Sequence, residues 1–519
     1  MADLGDFKPL SKADFKPLSK ADRSKTFNGK GTAASSEGFL PLARSKSFVV
    51  SSSAFAHPGL SRYRGKSFDV LAVSAGERKS LDKIVVITDT FSTGQLLASM
   101  LYNLGYSIVR VLSADLGDLL EFAPDGAVCE FIKTFVVNTE RAWDSEMETL
   151  LVELRKLDFP ISAVIAGAET GVELADELSE RLGLPLSNGT ALSEARRNKF
   201  VMGETVRAAG VRAVLQLKSS DLAAIESFIL DWKPEPFRVI VKPLDSAGSD
   251  DVTLCLNLDQ VRAAFTKIIG KVNGLGLINS AVLVQEFLEG QEYVIDTVSR
   301  HGEHKVVAVW AYDRRAANGA QFVCHGQRLL TADEDCVREL IEYELRVLDA
   351  LGIRNGPTHG EVKWCRGEPV LVEVGARCHG GDGFWTDVCD EVYGGFNQAQ
   401  LTIDAYLNPE AFAQCPPVPL KRQAYGCLKW LISSQPEGIL AQYCPQDVAE
   451  LKAMASYRGH QFFKETGEIV KPTQTCFTWA GCVKLANKSL SVMESDYARI
   501  EALEASTLLQ LEKGEEQRE

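Results

Sequence analysis

The stretch RVIVKPLDSAGSDDVTLC, Arg238 to Cys255, sets an apolar run, one lysine and a loop of small residues in direct succession. The run reads as a buried strand, and a cation near its end admits two readings. Lys242 either caps the strand and snorkels to water, with Gly248 making an ordinary turn. Or the lysine joins the backbone N–H groups of Ser246, Ala247, Gly248 and Ser249 in grasping a chain of phosphates. The stretch alone does not decide between them.

Downstream, Glu361 and Glu373 sit on two expected strands, THGEVKWC (358–365) and EPVLVEVGAR (368–377), separated by the turn RGE at 366–368. A hairpin would bring both carboxylates to one side, one strand apart. Like charges so placed repel unless a cation lies between them. Oxygen-only ligands that leave room for phosphate oxygens suit Mg²⁺. Arg377, four residues on, carries a fork that holds a phosphate or a carboxylate. The alternative is a pair of solvent-facing glutamates, but apolar residues flank both positions and argue against exposure.

The whole chain sets wider limits. Its 519 residues are too many for one core and predict two to four domains. Hydrophobic and charged contents of 45% and 24% are those of an ordinary globular protein. A net charge of −14 argues against nucleic acid as a partner. No apolar run approaches the roughly 20 residues of a membrane helix, so no membrane partner is expected. Twelve cysteines without a CxxC pair read as reduced and structural, in a cytosol-like or stroma-like compartment. Seven histidines without HExxH give no dedicated zinc site.

Residues 1–80 read as a low-complexity leader, since DFKPLSKA occurs twice in tandem at 6–21. The serine-rich, basic, acid-poor segment from Arg23 to Lys66 is either an organelle transit segment or a tail with no address. Localisation in a chloroplast or other organelle stroma is therefore weighed against cytoplasm. From Leu81 the pattern turns to alternating strands and helices, KIVVITDT (83–90), a helix to Gly105, SIVRVLS (107–113) and ISAVIAG (161–167), which predicts a parallel α/β unit. The turn TDTFSTG lacks GxGxxG and reads as structural or substrate-side. SEARRNKFVMGETVRAAGV (193–211) predicts one amphipathic helix, apolar at Phe200, Val201, Val206 and Ala209.

Together these residues resemble the ATP-grasp superfamily, most closely its L-amino-acid ligase branch, which includes the bacilysin-type dipeptide ligases. The resemblance is carried by a lysine in RNKFVM, VIVKP, SAGSDDV, QEFLEGQEYVID, HGEVKW and LVEVGARCHGG, in that order, and extends from about Lys83 to the C-terminal region. It implies an ATP-grasp fold of α/β and α+β type: a Rossmann-like pre-ATP-grasp domain at 81–190, an ATP-grasp domain at 191–410 with its small lobe at about 236–288, and a small α+β subdomain at 411–519.

The resemblance also implies roles. Lys199 and Lys242 bind the ATP phosphates, the loop Ser246–Ser249 closes over them, and Gln285, Glu286, Phe287 and Leu288 recognise adenine. Glu292 accepts the ribose hydroxyls, and Glu361 and Glu373 hold Mg²⁺ or Mn²⁺. Arg377, with Lys242, serves the transferred phosphoryl group, while Gly380 and Gly381 let backbone approach substrate. One departure is Gly375, where many members carry asparagine as a further metal ligand. The implied activity is ATP-dependent joining of a small carboxylate to an amine, amino acids in type, through an acyl phosphate. The alternatives are a carboxylase or acyl-phosphate-forming enzyme with a non-amine acceptor, and a non-catalytic ATP-binding regulator. His359 and His379 are candidate acid–base groups; Arg314 and Arg315 either meet a substrate carboxylate or are surface charges.

Overall fold

The computed structural model describes residues 79–121, 127–244, 246, 250–273, 277–418 and 422–512. The expected leader, apart from residues 79 and 80, and the loop positions Ala247, Gly248 and Ser249 lie outside the described residues.

The first unit is a parallel sheet of β1 (Ile84–Thr88), β2 (Ser107–Leu112), β3 (Phe131–Val136) and β4 (Ile161–Ala166), in the order β3-β2-β1-β4. β1 is IVVIT, buried at every position. An unbroken apolar strand is what a parallel sheet covered on both faces requires. Helices Thr93–Asn103, Trp143–Leu154 and Val172–Arg181 supply the cover.

The small lobe is an antiparallel sheet of β5 (Gln216–Ser219), β6 (Val239–Pro243), β7 (Thr253–Cys255) and β8 (Val282–Glu286), ordered β5-β8-β6-β7. Helices Leu222–Trp232 and Leu258–Ile268 close its core with Ile225, Ile229, Val261 and Ala264. The opening stretch forms β6 and β7, and all five residues of VIVKP are buried, lysine included.

The large sheet has eight strands. It runs through β9 (Gly290–Arg300), β10 (Glu303–Ala317), β11 (Ala320–Leu330), β12 (Gly356–Cys365) and β13 (Glu368–Gly375). The C-terminal region extends that same sheet with β14 (Tyr425–Leu431), β16 (Tyr457–Phe462) and β18 (Gly481–Asn487), in the order β13-β12-β9-β10-β11-β14-β18-β16. Only β15 (Gly438–Tyr443), β17 (Ile469–Val470) and β19 (Leu509–Glu512) make a separate three-stranded sheet. Among the described residues no helix is long and apolar enough to cross a membrane.

The helix expected over 193–211 is broken. A short turn at Glu194–Arg196 precedes a helix at Lys199–Ala208. Asn198 interrupts the pattern by accepting hydrogen bonds from Phe200 N and Val201 N at 3.0 and 3.2 Å, an N-cap that starts the helix afresh. Arg196 pins the preceding turn, buried and 2.7 Å from Asp176. The buried face is Met202, Gly203 and Val206, while Ala209 is exposed. Lys199 is thereby set in the first turn of the helix.

Candidate active site

The small sheet and the large sheet face each other across an open cleft. Its lining combines apolar side chains, Ile240, Val252, Phe287, Leu288, Phe322 and Val372, with the charged Lys199, Lys242, Glu292, Arg314, Glu361, Lys363 and Glu373. Of the sequence-predicted residues, Lys199, Lys242, Ser246, Gln285, Glu286, Phe287, Leu288, Glu292, Glu361 and Glu373 all line this one cleft.

The two carboxylates meet through a defect in the hairpin. β12 and β13 are joined by Arg366 and Gly367, at φ 53° and 89°, the signs of a two-residue type I′ turn. That turn pairs Cys365 with Glu368 and Val362 with Leu371. Continued without interruption, the register would set Glu361 against Val372 and turn Glu373 to the opposite face. A β-bulge intervenes, and Glu361 pairs with Glu373 instead. Val372 and Glu373 both line the cleft, although neighbouring residues of a regular strand face opposite ways.

Among the described residues, all of the charges lining the cleft but Lys242 have a partner. Lys199 Nζ lies 2.6 Å from Glu373 and donates to Ser246 O at 2.6 Å. Arg314 is 2.7 Å from Glu292 and 4.0 Å from Glu361, and Lys363 is 3.8 Å from Glu292. Lys242 is 5% exposed. Burial, reinforced by the charge of Lys199, pushes its pKa down to about 8. Glu361 is pulled upward by burial, yet the hydrogen bond from His359 and the charge of Arg314 hold it at about 2. It is a firm anion.

Behind Glu361 lies a buried polar chain. His359 Nδ1 and His379 Nδ1 lie 2.9 and 2.8 Å from the two oxygens of Asp296, and Trp310 Nε1 donates to that carboxylate at 2.7 Å. His359 Nε2 reaches toward Glu361 at 3.6 Å. Burial lowers the pKa of His359, but the hydrogen bonds to Asp296 and Glu361 outweigh it and set it at about 9. The two histidines thus share one carboxylate in the interior, with His359 positioning Glu361.

The segment 285–288, expected to recognise adenine, is anchored from outside. Gln285 Nε2 donates to Gln216 Oε1 at 2.8 Å, and Glu286 lies 2.8 Å from Arg212. The amide expected to read a base is therefore already engaged on its donor side.

Three predicted residues stand apart. Arg377, Gly380 and Gly381 do not line the cleft. Arg377 Nε lies 3.1 Å from Glu169, which follows β4. Gly380 O accepts from Trp385 Nε1 at 2.9 Å. The TDTFSTG turn packs here, Thr93 Oγ1 donating to His379 O at 2.6 Å and Ser92 Oγ accepting from Asp382 N at 3.0 Å. Of the two arginines left open, Arg314 enters the cleft, whereas Arg315 lies at the surface beside Asp313 and Glu501. Lys363 and Phe322 escaped the sequence reading. Lys363 had a signal, since it lies two residues from Glu361 on the same strand and so shares its face.

The ATP-grasp domain model matches residues 235–386. Dapdiamide A synthase of Enterobacter agglomerans is 33% identical over 336 residues, 64% of this chain and 75% of that protein. Alanine–anticapsin ligase of Bacillus subtilis is 25% identical over 283 residues, 50% of this chain and 57% of that one. The structure of an L-amino acid ligase from Bacillus licheniformis superposes with a TM-score of 0.65 at 17% identity, covering 84% of this chain and 100% of its own.

Proposed function

The chain belongs to the ATP-grasp ligases, and from that premise we propose that it joins an amino-acid-type carboxylate to an amine at the cleft between its two sheets, with conversion of ATP to ADP and phosphate. One observation carries the reading. Lys199 and Lys242 share a single cleft with Glu361 and Glu373 and with the apolar Ile240, Val252, Phe287, Leu288, Phe322 and Val372. Such a lining suits a nucleotide, apolar surface for its base and charge for its phosphates.

Glu361 and Glu373 fit a divalent cation. The bulge turns two carboxylates to the same face, and their donor atoms are oxygens only. Lys199 Nζ, 2.6 Å from Glu373, keeps positive charge at that place. Mg²⁺ or Mn²⁺, when bound there, neutralises phosphate charge. The protein's own groups do the rest. Lys199 and Lys242 offset the charge of the phosphates, and Glu292, fixed by Arg314 and Lys363, accepts hydroxyl donors. The substrate carboxylate takes the terminal phosphoryl group, giving an acyl phosphate and ADP. The amine then attacks the acyl carbon, the C–O bond to phosphate breaks, an amide forms and the amine proton passes to solvent. Positioning and charge stabilisation suffice for this chemistry.

The test is mass spectrometry of an amino-acid mixture incubated with the protein, ATP and Mg²⁺. The expected result is a condensed product, one water lighter than its parts, formed in step with ADP. ADP release with no condensed product would refute the ligase reading.

A further inference from the structure

Register decides which side chains of the small sheet look into the cleft. Gln285 on β8 pairs with Gln216 on β5 and with Ile240 on β6, so the three side chains share one face. Val239, Val241, Val282 and Val284 point the other way, into the core of the lobe. Ile240 and Gln285 line the cleft. Gln216 stands beside them on the edge strand, against the helix Lys199–Ala208.

The hydrogen bonds along this row run in one direction only. Phe200 O is a backbone carbonyl and can only accept. Gln216 Nε2 donates to it at 2.8 Å and to Glu204 Oε1 at 3.0 Å, which uses both hydrogens of the amide. Glu204 is paired with Arg207, which also donates to Val214 O. Gln216 therefore turns its carbonyl to Gln285, and Gln285 Nε2 donates to it at 2.8 Å. Gln285 Oε1 has no partner among the described residues and is the acceptor this amide offers to the cleft. Gln216 and Gln285 are 7% and 5% exposed. Turning either amide over would set like atoms face to face where water cannot answer them.

Gly203 makes room for this lock. A Cβ there would fall 2.5 Å from Gln216 Nε2 and push the amide off the helix. The same helix carries Lys199 in its first turn, 2.6 Å from Glu373. One element thus fixes a cation for the phosphates and, through Gln216, the orientation of an amide beside the apolar lining.

We propose that Gln216 restricts the cleft to purine nucleotides that carry a 6-amino group, because it denies Gln285 the half-turn that would admit a 6-oxo base. The proposal rests on the reading of the cleft as a nucleotide site. A glutamine amide is ambivalent by itself: it shows its carbonyl to an amino group or, after a half-turn, its NH₂ to an oxo group. With Gln216 Oε1 fixed behind it, the half-turn would bring two carbonyl oxygens together. The acceptor therefore stays toward the base. An adenine amino group donates to it, whereas the 6-oxygen of hypoxanthine or guanine meets it as a second acceptor. Gln216 does not line the cleft and acts as a positioning residue.

Calorimetric binding of three nucleoside diphosphates to the full chain, with Mg²⁺ present, tests this without reference to turnover. The three differ at position 6: adenosine diphosphate carries an amino group, purine riboside diphosphate a hydrogen and inosine diphosphate an oxo group. The wild-type protein should bind them in that order. ADP is expected about tenfold tighter than the 6-hydrogen compound and at least about a hundredfold tighter than the inosine compound. Inosine diphosphate bound as tightly as the 6-hydrogen compound, or more tightly, means an amide free to turn and overturns the proposal. Gln216→Leu should release the amide and bring inosine diphosphate to within about fivefold of ADP. Gln216→Lys, a donor on both sides, should hold Gln285 the other way round and favour the inosine compound. A Gln216→Leu protein that keeps the wild-type ratio, or weakens all three alike, has lost only structural support, and the proposal falls. Should the variants fail to fold, the order of the three in the wild-type protein decides. If none of them binds, the nucleotide reading of the cleft has failed and takes this inference with it. If ADP binds but the order differs, only the inference falls.

Discussion

Two lysines in this molecule have nearly the same local sequence and opposite situations. Lys429 lies in GCLKWLI on β14 and Lys242 in RVIVKPL on β6, each an isolated cation in an apolar strand, 0% and 5% exposed. Lys429 Nζ donates to Glu504 at 2.7 Å and to Trp430 O at 2.6 Å, and Glu504 in turn accepts from Ile432 N at 3.0 Å. The pair fastens the helix Leu490–Glu504 to the large sheet, and every charge in it is answered within the fold. Lys242, among the described residues, has no ion pair or hydrogen bond of its own. It looks into the cleft. A buried cation that the fold satisfies is structural; one that the fold leaves waiting for an anion belongs to a site.

The largest way to break this contrast is through stability. Lys429→Met leaves Glu504 buried and uncompensated, and unfolding in denaturant should show a loss of about 3–5 kcal/mol. Lys242→Met should do the reverse. The sign follows from a depressed cation. With a pKa near 8 in the folded protein against 10.5 for a free lysine, the charged form costs stability below pH 8, and that cost fades between pH 8 and 10.5. Lys242→Met should therefore stabilise by about 1–3 kcal/mol at pH 7, with the gain shrinking as pH rises toward 10.5. A destabilised Lys242→Met at pH 7 would place that lysine in the same class as Lys429.

Turnover should separate the same two residues. Glu373→Gln and Lys242→Met should each lower ADP formation by at least about a hundredfold, on the scale of about 2.7 kcal/mol for a lost charge contact. Folded Lys429→Met should keep its activity per molecule. Glu361→Gln combined with Glu373→Gln should be far from additive, because both act on one cation. If Glu373→Gln retains most of its Mg²⁺-dependent ADP formation, the metal assignment is wrong.

A smaller effect concerns pH. On the proposed reading ATP binding needs Lys242 charged, so above pH 8 binding must first restore the proton. KM for ATP should rise by up to about tenfold per pH unit there, and the slope should vanish in Lys242→Met. The smallest effect concerns the leader, which contributes no described residue to the cleft. Removing residues 1–75 should leave turnover unchanged. A fluorescent fusion of that segment that stays cytosolic in plastid-containing cells would sink the transit reading.

These contrasts mark how much the sequence could disclose. VIVKP followed by small residues and two glutamates around a turn were legible because the chemistry of phosphate binding forces them into order along the chain. The pairing of Glu361 with Glu373 was legible as a hairpin but not in its register, because a bulge leaves no mark in composition. Asn198 could have been read as a helix start, being a capping residue ahead of KFVMG, and the longer apolar pattern concealed it. Arg377 and Glu169 lie more than two hundred residues apart in the chain, and no local pattern announces that they meet. The role of Lys429 depends likewise on a glutamate 75 residues away.

The bulge at Val372 makes the cleft depend on parity. Which carboxylates face the nucleotide is decided by whether the count of residues between the turn and Glu373 is odd or even, not by the identity of the residues between them. Keeping Val372 without the bulge would present a valine where the second carboxylate belongs, whereas removing Val372 would let the regular register set Glu373 opposite Glu361 with no bulge at all. Two chains could then share every motif and differ by one residue in this strand. Counting residues strand by strand tells which of them must carry the bulge.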